Sequence, residues 1–346
     1  SPSLSQSLDS AKYFERKVVE GFLDKIMTGI DIPNYPQFRD MNEMFLKSMD
    51  GLEKITGGYI ETGILSIQTE KTPIPEVAAI KNNSGKIYEK TDKPFRMKIC
   101  VTGPYTLSCL FAYRDSGTFS RLGEIISQIV ENNIFQGKHG GVNLLAVDEP
   151  TFGLMDDPLL DFGAEGRETL LKAWETILHK VASKGVKTCL HLHNTVNELF
   201  WDIKSLNIVE SHVEDSLYRS EKTKKLLEST DKSLKASISI SDFDRLIRNK
   251  ITAGLPQKTG ENSINERVVE AWKNITAGKL DATAFLENVE LIRQRLTDMI
   301  NRFGTERVLY AGPECGLKSF PTPECALECL RRTVNAVKMY RTPNQK

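Results

Sequence analysis

From residue 97 onward, short runs of apolar and β-branched residues alternate with long amphipathic stretches. The runs are MKICVTG (97–103), VNLLAVDE (142–149), VKTCLHLH (186–193), NIVESHVE (207–214), LKASISI (234–240) and RVLYAGP (307–313). Such near-continuous apolar runs are what a parallel sheet covered by helices requires, and their alternation with helix-length segments predicts βα units. The stretches 164–185 and 288–304 are long enough to be crossover helices. Upstream, Tyr13, Val18, Val19, Phe22, Leu23 and Ile26, then Met41, Met44, Phe45, Leu46 and Met49, recur at helical steps and predict N-terminal helices within 10–55. They flank the turn-like segment IDIPNYPQF. The stretch 70–94 is polar, with Asn82-Asn83-Ser84-Gly85 between short runs, and predicts a surface hairpin or long loop. The economical expectation is one α/β domain over residues 1–346, a single (β/α)₈ barrel.

Composition changes this picture little. The 346 residues are 40% hydrophobic and 27% charged, with 23 Gly and 14 Pro, as in ordinary globular proteins rather than disordered or collagen-like chains. Lys plus Arg and Asp plus Glu both number 46, so no basic field points to nucleic acid or anionic lipid. No run approaches the ~20 apolar residues that span a bilayer, and the first residues lack the apolar core of a signal peptide. The expectation is a cytoplasmic protein without nucleic-acid or membrane partners. Six cysteines are too sparse for a disulfide scaffold and are expected as thiols.

The chemistry gathers at the ends of the strand-like runs. Asp148 and Glu149 end one, His191 and His193 the next, Glu214 and Asp215 follow another, and Cys315 follows the last. In a βα barrel these ends converge on one mouth, where the sites of that fold lie. The i, i+2 spacing of His191 and His193 puts both side chains on one face of a strand. With Glu214 and Cys315 they compose a four-coordinate N/O/S set of the kind zinc takes. Alone, the His-x-His pair would read as one buried histidine hydrogen-bonded in the core and one at a loop. His212 shares a face with Glu214 and is a reserve ligand, with strand-core packing as its alternative. His139 in LysHisGlyGly reads as a solvated loop residue. Cys325 and Cys329 fall on a buried helical stripe, and Cys100, Cys109 and Cys189 read as structural.

The segment 307–318, ArgValLeuTyrAlaGlyProGluCysGlyLeuLys, resembles the zinc-binding segment of the catalytic barrel of cobalamin-independent methionine synthases. The resemblance extends over about 95–340 through ThrGlyProTyrThrLeu (102–107), ValAspGluPro (147–150), HisLeuHis (191–193) and ValGluAsp (213–215). It implies a barrel of the methionine synthase or uroporphyrinogen decarboxylase type. His191, Glu214 and Cys315 match the family's zinc ligands, and His193 stands where the family has a cysteine. Asp148 matches the aspartate that holds the amino group of homocysteine, with Glu149 beside it. The turn Asn34-Tyr35-Pro36-Gln37 offers Tyr35 but no acid where the family has a second amino-acid anchor. Arg114 is a candidate for the donor side or a loop brace, and Asp244 falls at the family's proton-donating histidine. The folate contacts depart: Leu110 replaces a pterin-binding tryptophan, and Gly153 or Leu154 an acidic residue.

The resemblance therefore implies a zinc-dependent methyltransferase acting on a thiol such as homocysteine, in the chemistry of methionine biosynthesis. The missing folate contacts shift the expected donor to methylcobalamin or a methylated corrinoid protein. Alternatives are transfer to another thiol such as coenzyme M, a metal-dependent lyase or hydrolase, and a catalytically silent binding homologue on the same barrel.

Overall fold

A computed structural model describes residues 4–256 and 260–341. Two compact units divide them: one holds the chain up to Met27, Asp31–Val209 and Lys225–Lys232, the other Thr28–Ile30, Glu210–Lys224 and the chain from Ser233. In the first unit, α1 (Leu4–Met27) buries Val18, Phe22 and Leu23. Only the four-residue α2 (Glu43–Leu46) forms from the second run of helical spacing. The chain then turns into an antiparallel hairpin, β1 (Asp50–Ile55) with β2 (Gly58–Ser66). This corrects the helical expectation for 50–55. Gly51 sits at φ 78°, where a Cβ would lie 2.4 Å from the Ile64 carbonyl oxygen, so the backbone leaves the helical region there.

The segment read as a hairpin or loop at 70–94 is instead largely helical: α3 (Pro75–Asn82) and α4 (Ser84–Thr91). Val77, Ile80 and Ile87 form a buried stripe at helical spacing, and Pro75 suits the first helical turn. The turn-forming Asn83 marks the joint between the helices, where its amide donates to the Ala79 carbonyl at 2.9 Å. Burial of the stripe outweighed the polar composition.

Next come β3 (Phe95–Thr102), α5 (Pro104–Ser108), α6 (Ser116–Asn133), the short β4 (Gln136–Gly137), β5 (Gly140–Glu149), α7 (Glu165–Ala182) and β6 (Lys187–Leu192). Strands β3, β5 and β6 pair in parallel, with Thr102 opposite Asp148 and Asp148 opposite His191. An isolated parallel bridge joins Asn34 to Lys98. Helices α6 and α7 pack so closely that a Cβ on Gly123 would lie 2.7 Å from the Cβ of Ala173.

The remaining elements are β7 (Ile208–Glu210), α8 (Glu221–Thr230), β8 (Ser233–Ser239), α9 (Phe243–Ala253), α10 (Glu261–Thr276), α11 (Val289–Phe303), β9 (Val308–Pro313) and α12 (Pro323–Arg341). In the second unit, β8 and β9 pair in parallel, and Phe243, Leu246, Ile247, Leu286, Phe320 and the thiols Cys325 and Cys329 share one apolar cluster. The buried-stripe reading of those two cysteines holds. The parallel strands follow the order β3, β5, β6, β7, β8, β9. An order that never reverses is that of a barrel-type sheet, whereas a doubly wound sheet has a switch point. Among the described residues, no helix is long and apolar enough to cross a membrane.

Because Gly123 lets two backbones touch, Gly123→Val should destabilise the protein by about 1–3 kcal/mol through overpacking. A lowered urea midpoint at unchanged slope would show it, and an unchanged midpoint would contradict the packing account.

Candidate metal centre

His191 is the next-to-last residue of β6 and is 6% exposed; His193 follows the strand on the same face. Their rings lie 5.3 Å apart at 77°. In register with His191 on the neighbouring strand is Asp148, so the three side chains share one side of the first unit's sheet.

Two buried groups hold the loops that carry the other donors. Tyr218 Oη accepts from the Ser211 N–H at 2.9 Å and lies 3.0 and 2.8 Å from the Ser211 and Lys235 carbonyl oxygens, fixing the chain just before His212. Glu314, beside Cys315, is 1% exposed. Its carboxylate accepts from the Val213 N–H at 2.9 Å and the Ser241 N–H at 3.1 Å, and Arg245 stands 3.6 Å away. One carboxylate thus ties the segments after β7 and β8 to the cysteine after β9. Lys235, paired with Glu210, also donates to the Pro313 carbonyl at 2.8 Å.

A His/Cys cluster results that could hold a metal ion. One ligand atom from each of His191, His193, His212 and Cys315 lies within 4.8 Å of the others. Ligands of one tetrahedral zinc, at ~2.0–2.3 Å from the metal, stand about 3.3–3.8 Å apart. Three imidazoles and a thiolate are a donor set zinc accepts. They bring one negative charge to a divalent ion and leave it at +1, whereas Glu214 in place of His212 would have left it neutral.

The structure thus groups three of the four expected ligands and adds the reserve one. Glu214 is not among the clustered donors: its carboxylate pairs with Arg245 at 2.8 Å, from a backbone at φ 75°, a left-handed conformation costing about 1–3 kcal/mol for a side chain of this kind. Three of the expected substrate contacts have structural partners. Tyr35 is buried and donates to the Cys100 carbonyl at 2.7 Å. Arg114 pairs with Asp157 at 2.6 Å and lies over the Tyr105 ring, bracing two loops. Glu149 is fully buried and accepts from the N–H groups of Tyr105 at 3.0 Å, Thr106 at 2.7 Å and Trp174 Nε1 at 2.8 Å. The AspGluPro and GlyProTyrThr motifs therefore belong to one device: Glu149 caps the start of α5, and a Cβ at Gly103 would overlap its carboxylate at 2.2 Å. Asp244 is exposed and accepts from Trp272 Nε1 at 2.6 Å.

Sequence reading missed Glu314. Its signal was an acid directly before the cysteine in an apolar Pro-Glu-Cys context, but nothing in a sequence shows that such an acid is buried.

No family model and no curated protein matches the chain. Among solved structures, the fold is similar to that of a B12-independent methionine synthase from Shewanella sp. W3-18-1 in complex with selenomethionine, with a TM-score of 0.61 and 12% identity over 95% of this chain and 87% of that one. At this identity the likeness is one of fold. Dispersin B aligns more loosely, with a TM-score of 0.40 and 10% identity over 93% of each chain.

Burial pushes the Glu149 carboxyl from its usual 4.5 up to about 7, against the three N–H donors that pull it down. Between those two values the folded chain keeps a proton that the unfolded chain has released, so stability falls as pH rises through the window and levels off above it. Glu149→Gln removes the titration while leaving an amide facing N–H donors. The variant should be less stable at pH 5, and its deficit should shrink toward pH 8 in urea titrations. A deficit independent of pH would contradict this assignment.

Proposed function

We propose that this protein is a methyltransferase-like enzyme that moves a methyl group onto a thiol at a zinc ion held by His191, His193, His212 and Cys315. The clustering of these four donors carries the reading. The methionine synthase fold supports it. Bound zinc would supply Lewis acidity that lowers the pKa of an acceptor thiol, so that it is a thiolate at neutral pH.

The chain's own residues would do the rest. Glu314 and Tyr218 hold the loops of His212 and Cys315 so that little ordering is left for the moment of binding. Asp148, on the His191 side of the sheet, would hold an ammonium group on the acceptor, which favours homocysteine over simpler thiols such as coenzyme M. Leu110 in place of a pterin-stacking tryptophan, and exposed Tyr113, Leu154, Met155 and Phe162 on loops of the first unit, favour a methyl-corrinoid donor, free or carried by a protein. The non-reversing strand order and the bridge at Asn34 favour one closed (β/α)₈ barrel over the whole chain, and the reading places it in the cytoplasm.

Zinc should bind near one equivalent per chain. Cys315→Ser and His212→Ala should each weaken it beyond the roughly 10–100-fold typical of lost outer partners, while Glu214→Gln should leave affinity within a few-fold. Chelator competition measures this; strong loss in Glu214→Gln with none in His212→Ala would overturn the ligand set.

With the zinc-loaded chain, methylcobalamin should be demethylated in the presence of homocysteine, and methyltetrahydrofolate should not react. Des-amino homocysteine should be a poorer acceptor, with the difference abolished in Asp148→Ala. Turnover with methyltetrahydrofolate would contradict the donor assignment, and equal rates with both thiols would remove the role given to Asp148.

A further inference from the structure

The second unit contains a cavity of about 700 Å³ between the segment leading into α8 and the last turns of α11, and the metal reading makes no use of it. That volume is in the range of small-molecule sites. Val213 and Met299 give it apolar wall, and its remaining lining is strongly charged.

The charges do not cancel. Each carboxylate lining the cavity is already engaged: Glu214 with Arg245 at 2.8 Å, Glu221 with Arg302 at 3.7 Å, and Asp298 with the Gln294 amide at 2.8 Å. Of the cations, Arg295 pairs with Glu287 at 2.5 Å, and Arg302 also donates to the Arg219 carbonyl. The side chains of Arg219 and Lys224 are exposed and have no acidic partner among the described residues. Four cations and three carboxylates line the cavity, a net charge of +1, and Arg219 and Lys224 are the two cations among them not engaged by a carboxylate, in a concave site where low-dielectric walls focus the field on whatever enters. A bare inorganic anion would satisfy the charge and leave most of the volume and the apolar wall uncovered.

We propose that this cavity binds the dianionic end of a small organic molecule, a phosphate monoester or a dicarboxylate, through Arg219 and Lys224. None of the four proposed zinc ligands lines the cavity, but Val213 and Glu214 belong both to its wall and to the loop that carries His212. Its occupant therefore meets that loop directly.

The test uses the full chain freed of metal, so that binding to zinc plays no part and failure of the zinc reading leaves the result intact. Ribose 5-phosphate and succinate are titrated by calorimetry at fixed ionic strength. At least one should bind saturably at one site per chain, and the tighter of the two identifies the anion class. Arg219→Ala and Lys224→Ala should each weaken that binding about tenfold, the scale of one charge-assisted contact. Lys279→Ala, which removes an exposed charge outside the cavity lining, should leave it unchanged. Absence of saturable binding by either probe, equal weakening by the Lys279 variant, or unaltered binding in both cavity variants would overturn the proposal.

Discussion

The site depends on a carboxylate that cannot itself belong to the donor set. Glu314 is buried and spends its oxygens on the N–H groups of Val213 and Ser241, with Arg245 close enough to balance its charge. An unpaired buried carboxylate is costly, so the three segments that satisfy it are held together as firmly as the carboxylate is buried. Cys315 inherits its place from that arrangement, and so does His212, one residue before Val213. Arg245 adds a second tie by bridging Glu314 and Glu214, which keeps Glu214 engaged in the loop's support.

The same device recurs. Glu149 ends β5 and accepts the first N–H groups of α5, and Glu287 accepts the Ile240 N–H at 2.8 Å while pairing with Arg295. Strand ends in a parallel sheet leave backbone donors in the following loops with no ladder to join, and a buried acid on a neighbouring segment supplies the acceptor. Three acids that charge alone would nominate as chemical groups are thereby committed to architecture. Their burial gives Glu149 a titration near neutrality, and its consequence is one of stability.

Much of this fold was legible in the sequence. The six parallel strands announced themselves because both of their faces are covered, which makes each a continuous apolar run. The His-x-His spacing and the cysteine after the last strand stood out because each closes or follows one of those apolar runs. What failed was local. The Met44, Phe45, Leu46 and Met49 spacing implied a longer helix than the glycine at 51 allows, and the turn residues at 82–85 hid the buried stripe of Val77, Ile80 and Ile87. In the site, Tyr35, Glu149 and Arg114 were nominated by type, but sequence does not distinguish a polar group aimed at a ligand from one aimed at a backbone carbonyl or N–H. That His212 rather than Glu214 falls in the His/Cys cluster has the same origin: the two alternate along an extended chain, and the left-handed turn at Glu214 is invisible until the backbone is traced.

The proposed chemistry requires His191, His193, His212 and Cys315 to share one ion. X-ray absorption at the zinc edge of the loaded chain reads this directly. It should return one sulfur at about 2.3 Å and three nitrogens at about 2.0–2.1 Å, with multiple-scattering features of three imidazoles. A shell without sulfur, or one dominated by oxygen with fewer than two imidazoles, would contradict it.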